Sequence, residues 1–353
     1  MDPVAWRLRS QRLNRTTCGA PADVVRWLGA VQAQDYSGAC WAIALRTVGA
    51  THRTIGQAFD KGAILRTHLM RPTWHFVAPA DIRWMQMLTG PRVNARNAPY
   101  YRQGGLDGPA LRHGVKVVER SLRGRKCLTR DALGDALASA GRPLRGQALA
   151  YLMMYAELEA VVCSGPRQGK QFTYALLEER VAPARPLERD AALAKLVLRY
   201  FSSHGPATLR DFAWWSGLTI RDAKDGIALN GGALSHEKIG ELTYWFSPDD
   251  PAEPPAPPAV FLLPNYDEFG IAYRDRQLLR SVPRPRRITL EFPHLLVIDS
   301  ELTGRWRRDL QPRSVVVYVQ PFRSLTRAEI AGVEARVDAY GAFVGLAATL
   351  TLV

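Results

Sequence analysis

The stretch LTRDALGDALASAGRPLRGQALAYLMMYAELEAVVCSGPRQGKQFTYALL, residues 128–177, carries the pattern that decides the fold. Thr129 is a predicted N-cap for one helix, which Gly141 and Pro143 end. A second helix with an apolar stripe follows. AVVCS and QFTYALL then read as two strands joined by the basic, glycine-containing turn GPRQGK. Two helices followed by a hairpin are typical of a winged helix.

The same order recurs twice. After Arg189 a helix runs AALAKLVLRYFSSHG, Thr208 caps LRDFAWWSG, Thr219 caps IRDAKDGIALN, and strands are predicted around ALSHEKI and LTYWFS. Nearer the start, PADVVRWLGAV and SGACWAIALR are predicted helices, and ILRTHLM and TWHFV form a predicted hairpin. Three repeats of one plan are therefore expected.

The proline-rich segment PDDPAEPPAPPA, residues 248–259, predicts an extended connector and a boundary. After it, AVFLLPNYDEFGIAYRDR, RRITLEF, LLVID, GRWRRD and SVVVYVQPF favour strands, before one amphipathic helix, LTRAEIAGVEARVDAYGAFV. The predicted class is α+β, with three tandem winged-helix units and a β-rich C-terminal module. The predicted boundaries are 1–105, 106–185, 186–250 and 251–353.

Charge favours a polyanionic partner. The 353 residues include 47 basic and 33 acidic side chains, a net charge of +14, and only seven of the basic residues are lysine. Arginine is the better bidentate partner for phosphate and for guanine edges. A GC-rich genome would also replace lysine codons with arginine codons, so composition by itself leaves both explanations open.

Several protein classes lack their signature. No apolar run approaches the roughly 18 residues that cross a bilayer, and the start MDPVAWRLRS has no export segment, so we expect a cytoplasmic protein without membrane contact. The four cysteines are far apart, and the chain has no HExxH, P-loop or GxGxxG motif. We therefore expect neither a metal nor a cofactor.

The segment VQAQDYSGACW, residues 31–41, raises a chemical possibility. Gln32 and Gln34 are two positions apart in an extended link, so both carboxamides are expected to face one cavity. A glutamine is no strong general base, but it can position a water and place an amide oxygen near developing positive charge. The alternative is that both side chains only cap helix ends. Asp35 is expected to place its charge at the N-terminus of the next helix.

The motifs VQAQ, RTHLMRPTWHFV, GPATLRDFAWWSGL, LLPNYDEFGIAYRDR and GRWRRDLQ occur in this order over nearly the whole chain. This ordered set resembles the tandem winged-helix family of bacterial DNA glycosylases typified by AlkZ. The resemblance implies three winged helices around a C-shaped, concave DNA-binding surface. It also implies that Gln32 and Gln34 are catalytic, in the Gln-hydrophobic-Gln form of the family motif, with Ala33 between them.

The activity implied by the resemblance is hydrolysis of the N-glycosidic bond of alkylated purines in double-stranded DNA, especially N7-alkylguanine. The implied substrates include bulky natural-product adducts and some interstrand crosslinks. The implied biological role is antibiotic self-resistance. The chemistry of the two glutamines agrees with this activity. Alkylation at N7 makes the guanine cationic, so the base leaves in neutral form without being protonated. The remaining task is to hold a water and steady the oxocarbenium-like sugar, which suits carboxamide oxygens.

The remaining candidates are basic residues expected to contact DNA: Arg66, His68, Arg71 and His75 on the first hairpin, Arg167 and Lys170 at the second hairpin tip, and Arg274 and Arg276 near the C-terminal module. Structural roles are the alternative for both histidines, and solubility for the hairpin tip. Asp267 and Glu268 could simply pair with the neighbouring arginines. Trp214 and Trp215 are expected to lie in the core.

Two non-enzymatic alternatives stay open at this stage: a winged-helix DNA-binding regulator, and a protein that sequesters a drug or marks a lesion without turnover. A regulator usually presents one recognition helix per protomer and dimerises. Three concatenated units suit a monomer that clamps one duplex. We therefore expect a monomeric glycosylase.

Overall fold

The computed structural model describes residues 2–14, 16–248, 259–274 and 294–353. The predicted proline-rich connector, except at its two ends, and the predicted strand RRITLEF lie outside these residues. The fold is of the α+β class, as predicted. No helix in the described ranges is long and apolar enough to cross a membrane.

The first part of the chain builds a small three-stranded sheet flanked by helices. In chain order its elements are α1 (Pro3–Ser10), α2 (Pro21–Leu28), β1 (Ala30–Gln32), α3 (Tyr36–Ala44), α4 (His52–Asp60), β2 (Leu65–Leu69) and β3 (Arg71–Val77). β3 lies between β1 and β2, antiparallel to both. The predicted hairpin is confirmed, with Met70 at positive φ in its turn. Asp35 caps α3 by accepting a hydrogen bond from the Gly38 amide (3.0 Å), as predicted.

The second part begins with a helix that sequence patterns did not indicate. Its elements are α5 (Pro79–Gln103), α6 (Gly108–Leu122), β4 (Leu128–Thr129), α7 (Arg130–Ser139), α8 (Gly146–Leu158), β5 (Val162–Ser164), β6 (Thr173–Leu176) and α9 (Leu177–Arg180). Thr129 caps α7 as predicted. Helices α5 and α8 approach closely at Gly90, where a Cβ atom would lie 2.5 Å from the Leu158 carbonyl oxygen. Only glycine permits this contact.

The third part follows the prediction element by element. It comprises α10 (Arg189–His204), α11 (Leu209–Ser216), α12 (Ile220–Leu229), β7 (Ser235–Ile239) and β8 (Leu242–Phe246). Thr208 and Thr219 cap α11 and α12, and each is paired with an aspartate three residues later in a reciprocal capping box. These caps satisfy amide groups that the helices themselves leave without partners.

The C-terminal part is a five-stranded sheet crossed by one helix. Its elements are β9 (Val260–Leu263), α13 (Glu268–Ile271), β10 (His294–Ile298), β11 (Glu301–Leu310), β12 (Ser314–Pro321), α14 (Arg327–Val344) and β13 (Ala347–Leu352). The strand order is β13-β12-β11-β10-β9, and only the β12–β13 pair is parallel. The β-rich character of this part and the predicted amphipathic helix are confirmed, but in AVFLLPNYDEFGIAYRDR only Val260–Leu263 is a strand and Glu268–Ile271 is the short helix α13.

One hydrophobic core joins the first part to the C-terminal sheet. Residues of α2, α3 and α4 pack in the same buried cluster as β9–β12 and α14. Trp41 illustrates the junction, since its indole Nε1 donates to the Leu262 carbonyl (2.7 Å) and its ring meets Tyr340 edge-on. The domain boundary at 250/251 stays a prediction. The residues before it and the residues after it contribute to the same hydrophobic core.

Candidate active site

The segment that carries the two glutamines is held against the middle strand of the first sheet. Gln32 is the last residue of β1 and lies opposite His75 of β3. The pairing continues one step beyond the strand, because the Ala33 amide donates to the Trp74 carbonyl (2.7 Å). The Trp74 amide in turn donates to the side-chain oxygen of Gln34 at 3.5 Å. The backbone of the motif is thus fixed relative to the hairpin.

Gln32 is buried, with 7% of its surface exposed. Its backbone amide donates to Oε1 of Glu268 (2.8 Å), and the other oxygen of that carboxylate accepts from Trp215 Nε1 (2.9 Å). Oε1 of the Gln32 side chain is buried and has no hydrogen-bond partner among the described residues. A buried acceptor without a partner costs folding free energy, so this oxygen is an unusual feature of the motif.

Gln34 is exposed and lines a cleft of about 520 Å³. We call this space the hairpin cleft; its walls include His68, Trp74, Tyr100, Tyr151, Met154 and Tyr174. Its volume lies within the roughly 300–1,000 Å³ typical of small-molecule sites. Gln32 is not one of its lining residues. That both carboxamides face one cavity therefore stays a prediction: Gln34 lines the hairpin cleft, and Gln32 is buried two residues before it.

The hairpin cleft lies between the β2–β3 hairpin and helices α5 and α8. Asn97 and Tyr100 reach it from α5, and Gln147, Tyr151 and Met154 reach it from α8. Sequence reasoning missed these residues. A signal existed, because positions 147, 151 and 154 recur at helical spacing on the side of α8 opposite its predicted apolar stripe.

Arg66 is a structural clamp on the motif and has little surface for DNA. It is 8% exposed, and its Nε donates to the Ala33 carbonyl (3.0 Å). Its guanidinium carbon lies 4.3 Å from the ring centre of Trp74 and 4.7 Å from that of Phe172. Burial lowers the pKa of Arg66, and nearby Glu157 opposes that change. A contact of Arg66 with DNA stays a prediction, and the structure shows its guanidinium engaged with the Ala33 carbonyl and two aromatic rings.

His68 lines the hairpin cleft on the same face of β2 as Arg66, as the strand alternation predicted. Its Nδ1 contacts the carboxylate of Glu157, which is only 1% exposed. Its ring also lies against Trp74, with ring centres 4.4 Å apart. His68 is therefore held from two sides, and its buried carboxylate partner was not evident from the sequence.

His75 is fully buried, so the expectation that it contacts DNA is corrected. Its Nδ1 is 3.0 Å from the Thr73 carbonyl oxygen. Burial, reinforced by the positive charge of Arg71, holds the pKa of His75 well below its ordinary value. A neutral imidazole with no exposed surface does not bind a phosphate group.

Arg71 is the first residue of β3, on the first hairpin. It is half-buried, and its guanidinium lies 5.7 Å from the ring centre of Trp214. Trp214 is 41% exposed, whereas Trp215 is fully buried. The prediction that both tryptophans lie in the core is therefore right only for Trp215.

The two cations of the second hairpin have different environments. Arg167 forms an ion pair with Asp60 at the end of α4, with Nη2 2.8 Å from Oδ2 and Nε 3.1 Å from Oδ1. This contact raises the pKa of Arg167 and lowers that of Asp60. Lys170 is exposed at the tip. The charge of Arg167 is thus paired with a carboxylate, and the exposed Lys170 is the stronger candidate for phosphate binding.

Within the described residues, the acidic side chains near the C-terminal module bind partners that are distant in sequence. Asp267 binds Arg46, and Glu268 binds Gln32 and Trp215. Arg274 has an exposed side chain, while its backbone amide donates to Asp211 (2.9 Å). Arg276 lies outside the described residues. Within those residues, no three His, Cys, Asp or Glu side chains come together as a metal site.

Comparisons with known proteins agree on one family. The family model described as DNA glycosylase AlkZ-like matches residues 25–343. A curated protein of Streptomyces sahachiroi, an interstrand DNA cross-link repair glycosylase, is 27% identical over 222 residues, which are 61% of this chain and 59% of that protein. The chain thus spans about three fifths of that relative in the match.

The solved structure of Streptomyces sahachiroi DNA glycosylase AlkZ has the same fold. It superposes with a TM-score of 0.81, at 21% identity, over 99% of this chain and 98% of that one. Together with the family match over most of the sequence, this agreement leads to one conclusion: the chain belongs to the AlkZ-like family of DNA glycosylases.

Proposed function

We propose that this protein is a monofunctional DNA glycosylase that hydrolyses the N-glycosidic bond of cationic alkylated purines and leaves an abasic site. The substrate class is N7-alkylguanine in double-stranded DNA, including bulky natural-product adducts and interstrand crosslinks. The observation that carries the proposal is the position of Gln34 in an aromatic-lined cleft, two residues after Gln32, whose buried carboxamide oxygen has no hydrogen-bond partner in the part of the chain that the structure describes.

The cleft suits a planar cation. Trp74, Tyr100, Tyr151 and Tyr174 supply aromatic surface, and aromatic faces attract cationic groups within about 6 Å. An N7-alkylated guanine carries its own positive charge, so departure needs no added proton on the base. The carboxamide oxygens of Gln32 and Gln34 would position the water and steady the positive charge that develops on the sugar.

The three helix, helix and hairpin arrangements are the proposed DNA-binding units. We propose winged helices at 1–105, 106–185 and 186–250, arranged as a concave, C-shaped surface, with 251–353 as a supporting module. The net charge of +14 favours binding to the duplex. The AlkZ-like family match supports the glycosylase over the regulator, and the cross-link repair activity named for the curated relative supports crosslinks as substrates. We further propose that the protein acts as a monomer.

The direct test is incision of a defined duplex. The protein is incubated with DNA that carries one N7-methylguanine, and the DNA is heated in alkali to cleave any abasic site. We expect strand cleavage at the modified position and none in the same duplex with unmodified guanine. Absence of cleavage both with this duplex and with one that carries a bulky N7 adduct would overturn the proposed function.

Lys170 and Arg167 are expected to differ in their contribution to DNA affinity. Lys170→Ala removes an exposed charge and should flatten the salt dependence of duplex binding by about one phosphate equivalent. Arg167→Ala should change that slope less, because its charge is paired with Asp60. Fluorescence anisotropy at several salt concentrations measures both. An equal effect of the two substitutions would contradict this assignment.

A further inference from the structure

Gln34 shares the hairpin cleft with His68, a histidine that has no part in the function proposed above. We infer that His68 is a catalytic residue, whose Nε2 accepts the proton of the hydrolytic water, and that Glu157 is its positioning residue. The inference rests on the proposed function. It adds a general base to the site, because the carboxamides of the two glutamines have no usable basicity.

The geometry leaves one nitrogen of His68 for the cleft. Nδ1 is turned towards the buried carboxylate of Glu157 on α8. Glu157 is itself held in place, because its carbonyl oxygen accepts from Gln86 Nε2 (2.6 Å). Gln86 also donates to the Thr67 hydroxyl (3.0 Å), which ties α8 and α5 to strand β2. His68 nevertheless lines the cleft, so Nε2 is the ring nitrogen available there.

A carboxylate that accepts from Nδ1–H fixes the tautomer in which Nε2 carries the lone pair. The same carboxylate stabilises the imidazolium that forms when Nε2 takes a proton. In the proposed step the water oxygen bonds to C1′ of the sugar, and the C1′–N9 bond breaks. Its electron pair neutralises the departing cationic purine. The water proton passes to His68 Nε2, so charge and atoms balance.

The ionisable groups around this pair keep a constant charge near neutral pH. They are Arg66 on β2, His75 on β3, Arg130 at the start of α7 and Tyr174 on β6. Burial raises the pKa of Tyr174 and lowers that of His75, so both stay neutral. Arginines stay protonated. A pH dependence of the chemical step would therefore not come from these four groups.

The test uses single-turnover excision of N7-methylguanine from the duplex described above, with spontaneous depurination subtracted. His68→Ala should lower the rate by about 100-fold or more, and added imidazole should restore part of it. Glu157→Gln should lower the rate by a smaller factor. Measured from about pH 8 down to about pH 5, the wild-type rate should fall, because a base that is already protonated cannot accept a proton from the water. His113→Gln, at an exposed position of α6, is the matched control and should change nothing.

The outcomes separate the two proposals. A wild-type protein that leaves both the methylated and the bulky-adduct duplex intact overturns the proposed function. An active wild type whose rate is unchanged by His68→Ala, or is constant over this pH range, overturns only the role of His68. If His68→Ala does not fold, the wild-type pH profile and Glu157→Gln still decide the question. Loss of activity that imidazole does not restore, in a folded His68→Ala variant, counts against a proton acceptor.

Discussion

Gln34→Ala is expected to lower single-turnover excision of N7-methylguanine by about 100- to 1,000-fold, the effect typical of removing one polar group aimed at developing charge. Gln34 is exposed in the hairpin cleft, and its side chain accepts a long hydrogen bond from the Trp74 amide. Its removal should therefore change neither the folding stability nor the affinity for the duplex. Rates, melting temperatures and binding curves of the two proteins measure these three quantities.

Gln32→Ala provides the companion measurement. The unpartnered, buried oxygen of Gln32 contributes no hydrogen bond within the described residues, so its loss should lower the rate without a matching loss of stability. Gln103→Ala, at an exposed position at the end of α5, is the matched control. Equal losses of binding and rate in the Gln34 variant would make that side chain a DNA contact and not a catalytic group.

Asp267→Ala is expected to lower the free energy of unfolding by about 3–5 kcal/mol, because it leaves a buried arginine without its counter-charge. Arg46 and Asp267 are each 1% exposed and form two hydrogen bonds of 2.9 Å. Arg46 also donates to Gln11 and to the Ala42 carbonyl. This single guanidinium therefore connects α1, α3 and the segment before α13. Urea unfolding monitored by tryptophan fluorescence measures the change.

An exposed pair of the same chemistry serves as the control. Asp135→Ala removes the partner of Arg145 at the surface, where such a pair contributes about 0–1 kcal/mol. A double variant, Asp267→Ala with Arg46→Met, should recover much of the lost stability, because no unpaired charge remains buried. A loss below about 1 kcal/mol for Asp267→Ala alone would contradict the assigned role of the pair.

Local chemistry explains which parts of the fold could be predicted. Thr129, Thr208 and Thr219 were identified as caps because a cap requires only its own hydroxyl and the next few amide groups. The hairpins followed from short apolar strands around turn residues. The long helix α5 was missed because Pro91 and Pro99 lie inside it, and proline normally argues against a helix interior.

Contacts between distant segments explain the rest. The sequence indicated Gln34 and His68 as site residues, but Glu157 could not be connected to them before α8 was placed against β2. Asp267 was expected to pair with nearby arginines, whereas its partner Arg46 lies 221 positions away. Arg66 was expected on the DNA surface, because alternation in a strand gives the face of a residue but not what covers that face.

The amide of Gln32 is bound by a carboxylate 236 positions further along the chain. The conformation of the glutamine motif is therefore not encoded in the motif or in the small sheet that carries it. Grafting VQAQ onto another protein scaffold would transfer the two carboxamides without Glu268 and the Trp215 indole that holds Glu268. A functional graft would therefore also need the residues of α11 and α13 that fix the motif.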